Sequence, residues 1–374
     1  MPHNNNNCIR VGLTERHGLA DEASASPPHG VEYVFPSPHS KVIWPLGSGI
    51  KGFFSKFEGD ECDLYEAVLC PIRTMSPWIC TLGNIHSALA FNFLGAPIPR
   101  RMRLRYIEQW FLRDNFRKLI FRSEAAMAEF RTAVPYVSSD LVAKSTVVYP
   151  AIRSVPSDPV RQSSRDTINL LFSGFFFRKG GASVVDAFCT LQKQYPGVRL
   201  RLCCDPRTDF ETSCASMRDE YLAKIDMNPA IKLGRVSRIE MIERVLPETD
   251  VFVMPTYNEA FGFAILEAMA QGIPVVSTRH FAIPEMVEHD RSGFLIDFGS
   301  FDVAKLFPGY VVDQIPADFH ASVTEQLESY LSQLIGSKEL RGRFSARSLE
   351  IVASKFSIER RNQVMLDIYR NAIK

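Results

Sequence analysis

The chain has 374 residues, 46% hydrophobic and 23% charged, enough for two ordinary globular cores rather than one. Lys plus Arg total 43 against 42 for Asp plus Glu, a net charge of +1, which argues against a general polyanion or nucleic-acid binder. The eight cysteines contain no C-x-x-C pair and no companion His set, so they read as reduced, buried thiols of a cytoplasmic protein, not as a zinc site.

At the start, Met1 to Asn7 is polar and lacks the charged-then-apolar pattern of a signal peptide. No apolar run anywhere approaches the ~20 residues that span a bilayer. The expectation is therefore a cytoplasmic protein, touching the inner membrane at most peripherally. Ile9 to Leu13, Val31 to Phe35, Val42 to Trp44, Leu64 to Val68 and Trp78 to Leu82 read as strands, with a Pro/Ser/Gly/His-rich loop between Ala20 and His39. Arg101 to Phe121 reads as a helix. From Tyr149 to Arg165 the chain holds Pro150, Pro156, Pro159 and four serines, which is linker chemistry.

Beyond the linker the pattern is regular. Strands are expected at Ile168 to Gly174, Val198 to Cys204, Ile231 to Leu233, Asp250 to Pro255 and Ile273 to Ser277. Helices are expected at Gly181 to Tyr195, Glu211 to Lys224, Arg238 to Leu246 and Ala264 to Gln271, the last closed by Gly272. A final helix is expected at Ser357 to Ala372. Short apolar strands alternating with amphipathic helices predict doubly wound α/β domains. The expected division is 1–150, 151–355 and a returning helix at 356–374.

The segment from Tyr257 to Ala270 carries the most chemistry. It follows a strand and runs straight into a helix, so backbone N–H groups and the positive helix end converge on one spot suited to a diphosphate. Gly262 permits close backbone approach. Glu259 lies before the helix and Glu267 within it. Carboxylates suit sugar hydroxyls better than phosphate, so two of them flanking a phosphate nest point to a nucleotide sugar.

Glu259, seven residues, then Glu267 resembles the E-x7-E signature of the family-4 retaining glycosyltransferases. The following Gln271 to Ser277, the Pro-Glu turn in Ala282 to Val287, and Ser292 to Leu295 are similar to that family in the same register. Phe172 to Gly181 resembles its first phosphate loop, where Lys179 precedes Gly180. Many relatives carry Arg directly after the first Gly, Gly174; here Phe175 stands there, and Arg178 is the candidate replacement. Ile231 to Ser237 resembles the strand end that cups the base, around Arg235 and Val236. Lys355 to Tyr369 resembles the family's last helix.

The resemblance implies a GT-B fold, two Rossmann-like domains facing across a cleft, with the acceptor on the first and the donor on the second. It implies transfer of a sugar from a nucleotide-diphosphate sugar to an acceptor hydroxyl, with retention of anomeric configuration. No metal and no cofactor are expected beyond the co-substrate. Lys179 would stabilise the leaving diphosphate and Glu259 would orient the donor sugar. Glu267 would hold the ribose, with Gly174, Arg178, Gly180, Val236, Phe261, Gly262 and Phe263 completing the donor site. Pro77 to His86 resembles a strand-and-His segment near the donor sugar, making His86 a candidate catalytic residue. The family's Gly-rich loop after the first strand is replaced by Gly12 to Gly18. The acceptor class is open: a glycan, a lipid-linked sugar or a small molecule. Arg100 to Arg122 is locally basic, with Trp110 and Phe111 interleaved, which suits anionic lipid or a phosphorylated acceptor. Alternative readings are a GT-B epimerase, a phosphorylase, or a non-catalytic nucleotide-sugar binder.

Overall fold

Short buried strands joined by helical crossovers pair in parallel, because each crossover helix covers a face of the sheet. In the computed structural model, which describes residues 8–15, 24–39, 55–59, 61–85, 89, 98–133, 138–152, 167–307, 309 and 311–374, they form two six-stranded parallel sheets. The strand expected at Val42 to Trp44 lies outside the described residues. The chain divides into two units, Met1–Ile152 with Lys355–Lys374, and Arg153–Ser354. Each is Rossmann-like, which supplies the pair of domains that the GT-B class requires.

The first unit contains β1 (Ile9–Leu13), β2 (Val31–Val34), β3 (Leu64–Val68), β4 (Trp78–Leu82), α1 (Arg100–Phe111), β5 (Phe116–Phe121), α2 (Glu124–Ala133), α3 (Ser139–Ala143) and β6 (Ser145–Val147). Its strand order is β2-β1-β3-β4-β5-β6, so the winding reverses between β1 and β3. The single helix expected from Arg101 to Phe121 is corrected here: it stops at Phe111, and the rest is a strand. The turn between them is pinned by Asn115, whose Nδ2 donates to the carbonyls of Thr74 (2.7 Å) and Ser76 (3.1 Å). Phe116, Leu119, Ile120 and Phe121 then enter the core.

The second unit contains β7 (Ile168–Ser173), α4 (Gly181–Gln194), β8 (Val198–Cys203), α5 (Ala215–Asp226), β9 (Ile231–Leu233) and α6 (Arg238–Glu240), which runs into a π-turn at Met241–Val245. It continues with β10 (Val251–Met254), α7 (Phe263–Ala270), β11 (Val275–Thr278), β12 (Gly293–Ile296), α8 (Val303–Leu306), α9 (Ala317–Gly336) and α10 (Lys338–Lys355). Its strand order is β12-β11-β10-β7-β8-β9, and the winding reverses between β7 and β10. The helix expected from Glu211 begins four residues later, because Cys214 caps it in an extended conformation.

The last helix, α11 (Ile358–Ala372), belongs to the first unit. Ser357 caps it by accepting from the Arg360 N–H. Met365, Tyr369 and Ala372, at helical spacing, pack with Val11, Leu13, Leu64, Ile79 and Ile120 of the sheet. A polar contact fixes the helix rotation within this apolar seam. The Tyr369 hydroxyl donates to Glu66 Oε2 at 2.6 Å, and Thr81 Oγ1 donates to Glu66 Oε1 at 2.8 Å. Tyr369→Phe leaves the buried Glu66 carboxyl short of a donor, which costs about 1–3 kcal/mol. Thermal unfolding should therefore show a loss of that size in the first unit, whereas an unchanged midpoint would mean the hydrogen bond contributes nothing.

Candidate functional site

In open α/β sheets, ligands collect at the carboxyl ends of the strands where the winding reverses. In the second unit that point lies between β7 and β10. The loops leaving those two strands carry most of the residues singled out above.

The β7 loop turns at Gly174 (φ 114°) and ends at Gly180 (φ 78°), the left-handed N-cap of α4. A Cβ at 180 would overlap the Pro255 carbonyl oxygen at the end of β10, so only glycine lets the loops approach. Between the glycines, Phe176 and Phe177 are buried, and Phe176 stacks on Phe210 with ring centroids 4.1 Å apart. The Phe176 N–H donates to the Asp209 carbonyl at 2.7 Å. This anchoring holds Lys179 in place. Arg178 lays its guanidinium over the Phe175 ring, 4.0 Å from the centroid, so Phe175 is a platform for that arginine.

The β10 loop meets this loop directly. Tyr257 N–H donates to the Arg178 carbonyl at 3.0 Å. Lys179 Nζ donates to Glu259 Oε2 at 2.7 Å and to the Asn258 carbonyl at 2.8 Å. Both side chains of the ion pair are largely buried, 12% and 16% exposed. Glu259 Oε1 accepts from the Ala260 N–H at 2.9 Å. Burial pushes the Glu259 carboxyl up, but the Lys179 ammonium and the N–H groups of Ala260 and Phe261 outweigh it and hold it below the usual range. Phe261 is buried, and Gly262 (φ 102°) caps α7, whose first turn begins at Phe263. A Cβ on Gly262 would sit 3.0 Å from the Met286 methyl and 3.8 Å from Glu259 Cγ. Lys179, Glu259, Gly174, Gly180 and Gly262 are thus brought together, with Arg178, Phe261 and Phe263 adjoining them.

Glu267 lies about one helical turn beyond Phe263. It pairs with Arg238, its carboxylate 3.2 Å from Arg238 Nη2. Arg238 opens α6 just past Val236 and Ser237, so this contact ties the strand-end loop to α7. Val236 is half-buried there. His86 lies outside the described residues.

His280 was not among the sequence candidates. It sits two residues past β11, beside β10 at the same sheet edge. Burial pulls its imidazole below the usual range; Glu259 opposes that shift and Lys179 adds to it, so the ring senses both members of the pair. Phe281 follows in a left-handed conformation (φ 48°), uncommon for an aromatic residue. Among the described residues, no three His, Cys, Asp or Glu side chains are grouped to hold a metal.

Residues 167–306 match the family described as glycosyl transferases group 1. The D-inositol 3-phosphate glycosyltransferase of Corynebacterium urealyticum is 27% identical over 233 residues, 59% of this chain and 54% of that protein. The chain spans about half the length, or less, of the curated relatives it matches. A glycosyltransferase from Rickettsia africae superposes with a TM-score of 0.60 over 98% of this chain and 90% of its own, at 14% identity. Anabaena HepE in complex with UDP and glucose superposes with a TM-score of 0.56 over 82% of this chain and 77% of its own, at 18% identity. Identities this low establish the fold.

Because the folded carboxyl value of Glu259 is depressed, its stabilisation is present above the ordinary carboxylate range and lost as pH falls through the depressed value. Lys179→Met removes the counter-charge and should cost the second unit about 3 kcal/mol at neutral pH. The deficit should shrink on acidification as Glu259 takes up a proton. Thermal unfolding at neutral and acid pH checks both, and a pH-independent deficit would contradict the pairing.

Proposed function

We propose that the protein is a glycosyltransferase moving a sugar from a nucleotide-diphosphate sugar to an acceptor hydroxyl, with retention, in the manner of the family-4 enzymes. The observation carrying this reading is the buried Lys179–Glu259 pair beside the start of α7, at the point where the sheet winding reverses. Residues 151–355 bind the donor, residues 1–150 the acceptor, and 356–374 form the helix that completes the acceptor unit.

The chemistry follows from the donor set. As the anomeric C–O bond breaks, negative charge gathers on the leaving diphosphate. An ammonium has three N–H donors, and Lys179 uses two on Glu259 and Asn258. The third meets a diphosphate oxygen, together with the N–H groups at the start of α7. Arg178 adds charge from its Phe175 platform. Glu259 orients the donor sugar, and Glu267 exchanges part of its Arg238 contact for ribose hydroxyls. The acceptor oxygen attacks the face that the diphosphate leaves, and its proton passes to the departing phosphate oxygen. No side-chain base is required, and the cationic groups do the work a metal does elsewhere.

HepE's complex with UDP and glucose makes UDP-glucose the first donor to assay, followed by GDP- and ADP-sugars. Lys179→Ala should lower kcat by roughly a hundredfold, the usual effect of losing one preorganised donor. Glu267→Ala should raise the donor KM by about tenfold, the scale of a hydrogen bond to a charged group. The anomer formed is read by proton NMR. Near-normal turnover in both variants, or an inverted product, would refute the assignment.

A second reading concerns α1, where Arg100, Arg101 and Arg105 are exposed beside Met102 (62%) and Tyr106 (39%), with Leu112 (43%) just past its end also exposed. Basic and apolar side chains side by side suit the headgroup region of an anionic bilayer. The surface is narrower than the Arg100 to Arg122 stretch expected from sequence, because Arg122 is only 5% exposed. On this reading the enzyme works at the cytoplasmic membrane face on a lipid-linked acceptor. Sedimentation with anionic vesicles should exceed that with neutral ones and fall on Met102→Glu; equal sedimentation removes the proposal.

A further inference from the structure

Ser183, His320 and Asp186 form a serine–histidine–aspartate arrangement inside the second unit. Ser183 Oγ is 3.1 Å from His320 Nδ1, and His320 Nε2 is 2.8 Å from Asp186 Oδ2. It is no hydrolytic triad. Ser183 is fully buried on α4, and its hydroxyl also lies 3.3 Å from the hydroxyl of Tyr257, which is buried as well.

The carboxylate of Asp186 anchors one end of this chain. Burial pushes the Asp186 carboxyl up, but donors from His320, Lys224 and Tyr221 override it and hold it down to about 2. Asp186 is therefore acceptor-only, with Lys224 Nζ at 2.6 Å and the Tyr221 hydroxyl at 2.8 Å. His320 Nε2 must carry the proton that faces it. His320 Nδ1 then faces the Ser183 hydroxyl. The Ser183 hydroxyl in turn meets that of Tyr257, whose phenol burial keeps protonated, pushed up to about 12. An unbroken polar chain therefore joins Tyr257 to Asp186.

Tyr257 is the residue through which this chain reaches the candidate site. Its ring stacks on Phe307 (4.6 Å) and meets Phe319 edge-on (5.2 Å). Its N–H holds the Arg178 carbonyl, and the next two residues are Asn258 and Glu259, the partners of Lys179. Aromatic packing sets the plane of the ring, and the hydroxyl contact sets how deeply the ring sits. We infer that Ser183, His320 and Asp186 are positioning residues that, through the Tyr257 hydroxyl, fix where the Asn258–Glu259 segment stands relative to Lys179. The consequence for donor binding rests on the function proposed above; the control of the loop does not.

The test compares Tyr257→Phe, Ser183→Ala and His320→Gln with Ser348→Ala. The last removes another buried serine hydroxyl of the same unit, one bonded to the Ser292 carbonyl and outside the site. Amide hydrogen exchange over residues 258–263 should speed up about five- to tenfold in the first three variants, the scale of one lost hydrogen bond, and stay unchanged in Ser348→Ala. The Ser183→Ala/Tyr257→Phe double variant should be no faster than either single one, since both break the same relay. Calorimetry with UDP, GDP and ADP should show, for whichever the unaltered protein binds, weaker binding in the same three variants. Unchanged exchange in those variants, or an equal increase in Ser348→Ala, overturns the inference. Altered exchange in a protein that binds none of UDP, GDP and ADP would instead sink the donor reading and leave the relay standing.

Discussion

Everything in the candidate site is arranged around one ammonium–carboxylate contact between loops that leave adjacent strands. A largely buried ion pair is not stabilising by default, because both charges must be stripped of water. Lys179 and Glu259 tolerate it because neither depends on the other alone. The ammonium also has the Asn258 carbonyl, and the carboxylate also has the Ala260 N–H. The contact is possible only because β7 and β10 are neighbours although distant in the chain. Charge, backbone and topology therefore converge at one place, and that place already has its electrostatic field organised before any ligand arrives.

Much of this was legible in the sequence because it rests on local signals. The apolar runs of β7, β8 and β10 and the Gly-capped α7 are set by residues within a few positions of each other, and the spacing of Glu259 and Glu267 is a local count. What escaped depends on the tertiary fold. The strand at Phe116–Phe121 carries Arg117 and Lys118 among its apolar residues, so it looked like a continuing basic helix. The break is made by Asn115 reaching carbonyls some forty positions earlier in the chain. His280 sits in an irregular turn and becomes relevant only when β11 lies beside β10. The partner of Glu267, Arg238, and the polar chain from Tyr257 to Asp186 link elements separated by up to 137 positions, which no local pattern exposes.

The first unit shows a related economy. Its final helix is held by an apolar stripe, but Glu66, Thr81 and Tyr369 decide which face of that helix points inward. Apolar packing alone tolerates rotation and sliding. A buried carboxyl with two fixed donors does not, since a misplaced helix would strand it without partners. Both units thus contain a small buried polar network within their apolar packing.

The glycine at 180 has a wider consequence. With the Pro255 backbone and ring where a side chain would go, the ends of the two loops are dovetailed, and neither can be remodelled separately. On the function proposed above, attempts to alter the preferred sugar or base therefore have unequal room. Val236, His280 and the Phe175–Arg178 stack offer side chains that can be exchanged, while the dovetail offers none. Selectivity in such a protein would drift at the rim of the site and stay frozen at its floor.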